Sequence, residues 1–176
     1  HALQNVDGII EIINDKGEEI FTSLIQPYNH VAWPEAMSKN HITPEMVQHA
    51  PLPHEIAPKI RDIFAAADNL VGYNVEFDIK FISQCFHIDL AGKTRIDPMV
   101  QFVKDVPQTP SVHHKLEDAI IHYCGENSPV HEAYKANAHK ADCDAIATLE
   151  VYHTLEKEKE FSKDMASIIK DTNQIA

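Results

Sequence analysis

Apolar and polar positions along the chain change period several times, and each change marks an element. Near the start, GIIEII (8–13) and EEIFTSLIQP (18–27) are rich in β-branched and aromatic residues and flank NDKG, a strong turn signal, which predicts a β-hairpin. A loop punctuated by prolines follows. In TPEMVQHAP, Thr43 stands as an N-cap with Pro44 at the first helical position, so a short helix is expected there. Further on, Ile56, Ile60, Ile63 and Phe64 recur at helical spacing. Pro58 fits that helix only in its first turn, where the missing N–H has no partner to lose. NLVGY reads as a short buried strand. Asn74 then caps a helix with Ile79, Phe81 and Ile82 on its apolar face, and TRID (94–97) reads as a last short strand. The remainder is helical in pattern: 98–104, 115–124, a long helix from about 139 to 158, and a charged helix from about 161. A hairpin followed by strand–helix alternation describes a mixed α/β sheet with helices packed on it. Residues 1–160 read as one domain and 161–176 as a C-terminal helix or tail.

Composition narrows the class. With 176 residues, 44% of them hydrophobic, the chain suits one globular domain with a sizeable core. No run approaches the ~18 consecutive apolar residues of a membrane span, and no charged-then-apolar leader is visible, so a soluble protein is expected. Cys85, Cys124 and Cys143 lie far apart with no C-x-x-C spacing, which speaks against a disulfide framework or a zinc knuckle and makes a reducing cytoplasm the simplest setting. Lys and Arg total 15 against 27 Asp and Glu, a net charge of −12, which argues against a protein that grips long stretches of phosphate backbone unaided. Any hold on nucleic acid must be local or helped by cations.

Two segments carry candidate chemistry. LVGYNVEFDIKFI (70–82) sets an Asn, a Glu and an Asp into an apolar run. Asp78 falls one turn into a helix that leaves the C-terminal end of a strand, the rim where open α/β sheets place ligands. Equally, Glu76 and Asp78 are first-turn acids that suit the helix dipole. In HKADCDAIATLEVY (139–152), His139, Asp142 and Asp144 open a long helix whose apolar positions Ala141, Ala145, Ala147 and Leu149 are mostly small, so its backbone can approach a neighbour closely. Again dipole-favoured acids and an ordinary surface histidine, one of 12, would read the same way. Neither segment decides alone.

Together, GYNVEFDIKFI and HKADCDAIAT resemble the second and third motifs of the DnaQ-like, or DEDDh, 3′→5′ exonucleases, in the right order and spacing. Asn74, Phe77, Asp78 and Phe81 match Asn-x-x-Phe-Asp followed by Phe. His139, Ala141, Asp144, Ala145, Ala147 and Thr148 match His-x-Ala-x-x-Asp-Ala-x-Ala-Thr. RID resembles the family's strand before a helix, HKLEDAIIHYCG its Leu-rich helix before the catalytic His, and NHITPEMVQHAP the loop and helix beside the terminal nucleotide. The similarity runs from about Gly8 to about Tyr152. The family's first strand carries Asp-x-Glu, and HALQNVDGIIEI resembles the loop that follows it. Because that strand is central in the fold, lacking it would leave buried N–H and C=O groups unpaired on both neighbours, so a stable domain is expected to contain it.

The resemblance implies a ribonuclease H-like mixed sheet with helices on both faces. It implies a metal-dependent 3′→5′ exonuclease that releases nucleoside 5′-monophosphates from single-stranded ends, with DNA ahead of RNA as substrate. Two Mg²⁺ or Mn²⁺ ions would be held in part by Asp78 and Asp144, with His139 as general base. Asn74, His41, Ile42 and Phe77 would lie on the substrate side, although the family usually has Gly where His41 stands, and core packing weighs above base stacking for Phe77. The implied partners are a single-stranded DNA or RNA 3′ end and a DNA polymerase subunit. Two other classes stay open. One is a catalytically inactive exonuclease-fold module that binds nucleic acid or a polymerase. The other is an unrelated phosphoesterase or metal-binding protein using its histidines, of which only His113 and His114 form a close pair.

Overall fold

The computed structural model describes residues 8–28, 33–34, 37–38, 41–109, 113–137 and 141–173. The hairpin forms as its turn chemistry requires. β1 (Ile9–Ile13) pairs antiparallel with β2 (Glu19–Leu24), placing Ile9 opposite Leu24 and Ile12 opposite Phe21. Asn14 builds the turn: its Oδ1 accepts the N–H of Lys16 at 2.9 Å and of Glu18 at 3.0 Å, and Gly17 takes the left-handed conformation at φ +79°.

The short helix α1 (Pro44–Val47) and the longer α2 (Pro53–Ala66) follow. Proline opens both helices. Pro58 lies beyond the first turn of α2, contrary to expectation, because Pro53 already occupies that place. Pro58 and His54 are both exposed, so water can take up the His54 carbonyl that loses its helical donor. β3 (Asn69–Val71) leads into α3 (Val75–Phe86), and β4 (Thr94–Ile96) leads into α4 (Pro98–Asp105). β3 and β4 pair in parallel with Leu70 opposite Arg95. Leu70 is buried but Val71 is 38% exposed, so this strand is less enclosed than its apolar run suggests.

Three helices complete the described chain: α5 (Leu116–Cys124), α6 (Pro129–Asn137) and α7 (Ala141–Asn173). α6 is absent from the periodicity reading, although Ser128–Pro129 is a helix opening and Ser128 Oγ accepts the His131 N–H at 3.3 Å. The two helices expected around 139–158 and from 161 are one continuous helix. No Gly or Pro interrupts the segment, and Lys159 bridges to Glu156 at 2.7 Å across the expected break.

Among the described residues the strands form two separate two-stranded sheets, β1–β2 and β3–β4, with no strand joining β1 to β3. α7 packs against both β1 and β3. One core cluster lies where α2 and α3 meet the strands and includes Ile10, Ile25, Ile60, Leu70, Ile79, Ile82 and Phe86. A second lies among α4–α7, around Phe102, Ile120, Tyr134, Val151 and Leu155. A small third joins Trp33, Ile42 and Val47, with Trp33 Nε1 donating to the Ile42 carbonyl at 2.8 Å. No helix among the described residues is long and apolar enough to cross a membrane.

Candidate active site

The site is built where the parallel strands end. β3 passes through Gly72 and Tyr73 into α3, while β4 passes through Asp97 into α4, and Gly72 N–H donates to the Ile96 carbonyl at 3.1 Å to extend the pairing. A Cβ on Gly72 would stand 3.0 Å from Val75 Cγ2 and 3.2 Å from Asp78 Oδ2, so the turn has room for glycine only if those side chains are to stay in place. Tyr73 ties the same turn to the α5 entry: its hydroxyl donates to the carbonyls of His114 and Lys115 at 2.9 and 3.1 Å. Burial, followed by the charges of Asp118 and Asp97, pushes the Tyr73 phenol well above its ordinary range.

Asp78 stands in the first turn of α3, as expected. Asp78 is exposed as a residue, but its carboxyl lies against Gly72, and the loss of water on that side is the largest cause raising its pKa to about 6. The nearby negative charge of Asp97 adds to the rise, and a backbone hydrogen bond at Asp78 itself opposes it. A carboxylate raised in this way costs stability when charged: the contribution it makes is full below about pH 4 and is lost as pH rises to about 6. Asp78→Asn should therefore raise the melting temperature in chelator at pH 7.5 and leave it unchanged near pH 3.5. The gain is held to about 1 kcal/mol by solvent screening at the partly open rim. Equal melting shifts at both pH values would contradict this account.

Asn74 precedes α3 in the left-handed conformation, φ 63° and ψ 46°, and its side chain makes no capping bond. This corrects its reading as an ordinary N-cap. Capping comes from another element: Asp97 Oδ1 accepts the Asn74 N–H at 3.0 Å, and Oδ2 accepts the Val75 N–H at 3.1 Å. Asp97 also caps its own helix, accepting Met99 N–H at 2.9 Å. Sequence reading passed over Asp97 as a site residue. Its cap role was legible in Asp-Pro at a helix start, but its reach to α3 was not. Glu76, the other acid of the motif stretch, is held by Arg95, whose Nη1 reaches both carboxylate oxygens at 2.7 and 3.0 Å.

Phe77 is 49% exposed, which overturns the weighting toward core packing: it lies on the face of α3 opposite the buried Val75, Ile79, Ile82 and Phe86. His41 is exposed and adopts φ 59°, the backbone region that favours glycine. Ile42, expected beside a terminal nucleotide, turns inward instead. It is 5% exposed and packs with Trp33 and Val47, because the left-handed step at His41 directs the next side chain into the core.

Asp144 is half-buried in the first turn of α7. Burial, then the Asp144 charge, pushes the Tyr134 phenol up to about 12. Thr148, buried one turn later, donates its hydroxyl to the Asp144 carbonyl at 2.7 Å. Ala147 and Leu149 are buried, as the small-residue pattern anticipated. Because β3 leads into α3 and packs on α7, the two acids stand on elements that meet at β3. His139 lies outside the described residues, between the ends of α6 and α7.

Among the described residues no three His, Cys, Asp or Glu side chains gather in a metal-binding group, and the histidine-based alternative finds no cluster there either. Asp78 and Asp144 offer hard oxygen donors. Mg²⁺ is commonly held by one or two carboxylates together with waters and substrate phosphate, so this donor set fits a Mg²⁺- or Mn²⁺-type ion as part of its shell.

A sequence model of the Exonuclease family, of the RNase T type, matches residues 8–152. No curated protein matches the chain. Among solved structures, the chain is similar to the zinc-bound E. coli exonuclease I–single-stranded DNA complex, at 18% identity and a TM-score of 0.64 over 89% of this chain and 37% of that one. It thus spans a little over a third of exonuclease I. It is also similar to exonuclease X in complex with 5′-overhanging duplex DNA, at 17% identity and a TM-score of 0.50 over 88% of this chain and 87% of that one. These likenesses support the ribonuclease H-like fold, while the family match spans both motifs in order. The chain belongs to the Exonuclease family, among the DnaQ-like, DEDDh nucleases.

Proposed function

We propose that the protein is a divalent-metal-dependent 3′→5′ exonuclease that releases nucleoside 5′-monophosphates from single-stranded ends, with DNA preferred to RNA. The observation that carries this reading is the family match over residues 8–152, which spans both motifs in order and takes in Asp78 in the first turn of α3, where the parallel strands end. Asp78 and Asp144 would hold Mg²⁺ or Mn²⁺ with water and substrate phosphate. Bound cations supply the positive charge that offsets the negative charge developing on the phosphodiester. His139 would take the proton of the attacking water. The exposed ring of Phe77 offers a stacking face for a base, and Asn74 and His41 present polar groups to the strand end. Ile42 would serve from beneath, setting the conformation of the loop that displays His41.

The DNA held by the exonuclease I and exonuclease X neighbours supports a nucleic-acid substrate. A net charge of −12 suits an enzyme that relies on metal and touches only a few terminal nucleotides. The test uses full-length protein with 5′-labelled DNA and RNA oligonucleotides in Mn²⁺. Stepwise shortening from the 3′ end with 5′-mononucleotide products is expected, faster on DNA. Internal cuts, trimming from the 5′ end, or undiminished turnover in excess chelator would each overturn the proposal. Binding of the oligonucleotide without cleavage would point instead to the inactive module.

A further inference from the structure

We infer that Asp97 is a positioning residue: from the β4–α4 junction its carboxylate holds the first turn of α3 and so sets where Asp78 stands. The tether rests on geometry alone. Its consequence for metal binding rests on the exonuclease reading above.

An aspartate that only caps a helix needs one bond to its own first turn, and Asp97 has it in Met99 N–H at 2.9 Å. Two further bonds, from the amides of Asn74 and Val75, cross 23 and 22 residues to a different helix. Those amides belong to a helix start that its own sequence does not cap, because Asn74 lies in the left-handed region and its side chain makes no capping bond. Such a backbone conformation persists where the surroundings over-determine it, and Asp97 is the group that does so. A second link reinforces the first: Arg95, two residues earlier, grips Glu76 through both oxygens. Residues 95–97 therefore hold residues 74–76 from alongside, with the parallel register of β3 and β4 continued by Gly72. The Phe77 amide closes the turn on the Asn74 carbonyl at 2.9 Å, so a shift at Asn74 is passed directly to Asp78. Groups that orient metal ligands from behind typically govern affinity by about 10–100-fold.

Two substitutions separate position from other roles. Asp97→Ser keeps an oxygen that can cap Met99 but is too short to reach α3, and Asp97→Glu keeps the charge while altering the reach. Mn²⁺ titration followed by electron paramagnetic resonance of the free ion is expected to show both variants weakened by about 10–100-fold, with turnover lower at saturating Mn²⁺. Wild-type affinity in Asp97→Ser would reduce the residue to a helix cap and overturn the inference. Wild-type affinity in Asp97→Glu would assign the effect to charge and overturn it equally. Amide hydrogen exchange in the unmodified protein needs no variant: slow exchange at Asn74 and Val75 is expected, and exchange at the rate of open amides would remove the tether. If the wild type neither binds Mn²⁺ nor cuts DNA while these amides are protected, the exonuclease reading falls and the tether stands.

Discussion

With His139 replaced by Ala, turnover at saturating Mn²⁺ falls by about 10²–10⁴-fold while Mn²⁺ affinity is retained. That range is the usual contribution of a positioned acid–base group. Imidazole changes charge near neutral pH and can take a proton from water in the working range of the enzyme. In the sequence His139 falls between Asn137, where α6 ends, and Ala141, where α7 begins, and Asp144 follows five residues later. In the proposed reading His139 would take the proton of the attacking water and would not hold the cation. Single-turnover rates and Mn²⁺ binding on the same preparation decide it. A variant that loses metal affinity but regains full turnover at high Mn²⁺ would make His139 a ligand and leave the base unassigned.

Asp144→Asn produces the opposite pattern. Mn²⁺ affinity drops on the order of 10²-fold or more, since partners one shell further out already account for 10–100-fold, and added metal restores activity only in part. The bond from Thr148 is made to the backbone carbonyl of residue 144, which the change leaves untouched, and Ala147, Leu149 and Val151 continue to anchor the helix. Calorimetric titration with Mn²⁺ alongside a thermal melt separates the two effects. A variant of normal stability and normal Mn²⁺ affinity would remove Asp144 from the ligand set.

The two candidate acids are legible in the sequence because each motif is short and local, with Asp78 four residues after Asn74 and Asp144 five after His139. Phe77 was legible in principle and misjudged. It lies two residues from Ile79, about 200° round the helix from the buried stripe, and periodicity alone would have turned it outward. His41 and Ile42 were legible only as a pair: one steps through a left-handed conformation and the other is thereby sent inward, which no propensity distinguishes. Pro58 required knowing that it and His54 both lie on the exposed side of α2. The continuity of α7 through residues 158–161 could have been read from the lack of any glycine or proline, and the charge run there drew attention to a break that is not present.

By itself the sequence determined the hairpin, the helix openings at Pro44 and Pro98, and the order of the two motifs. Each of these depends on interactions within about four residues, through a turn, a cap or a helical repeat. Only the tertiary structure decided that Asp97 caps α3 from across 22 residues, that Glu76 is taken by Arg95, that the Asp78 carboxyl lies against Gly72, and that α7 packs on both β1 and β3. Those properties arise from desolvation and from hydrogen bonds between segments distant in the chain, and neither exists until the segments have packed.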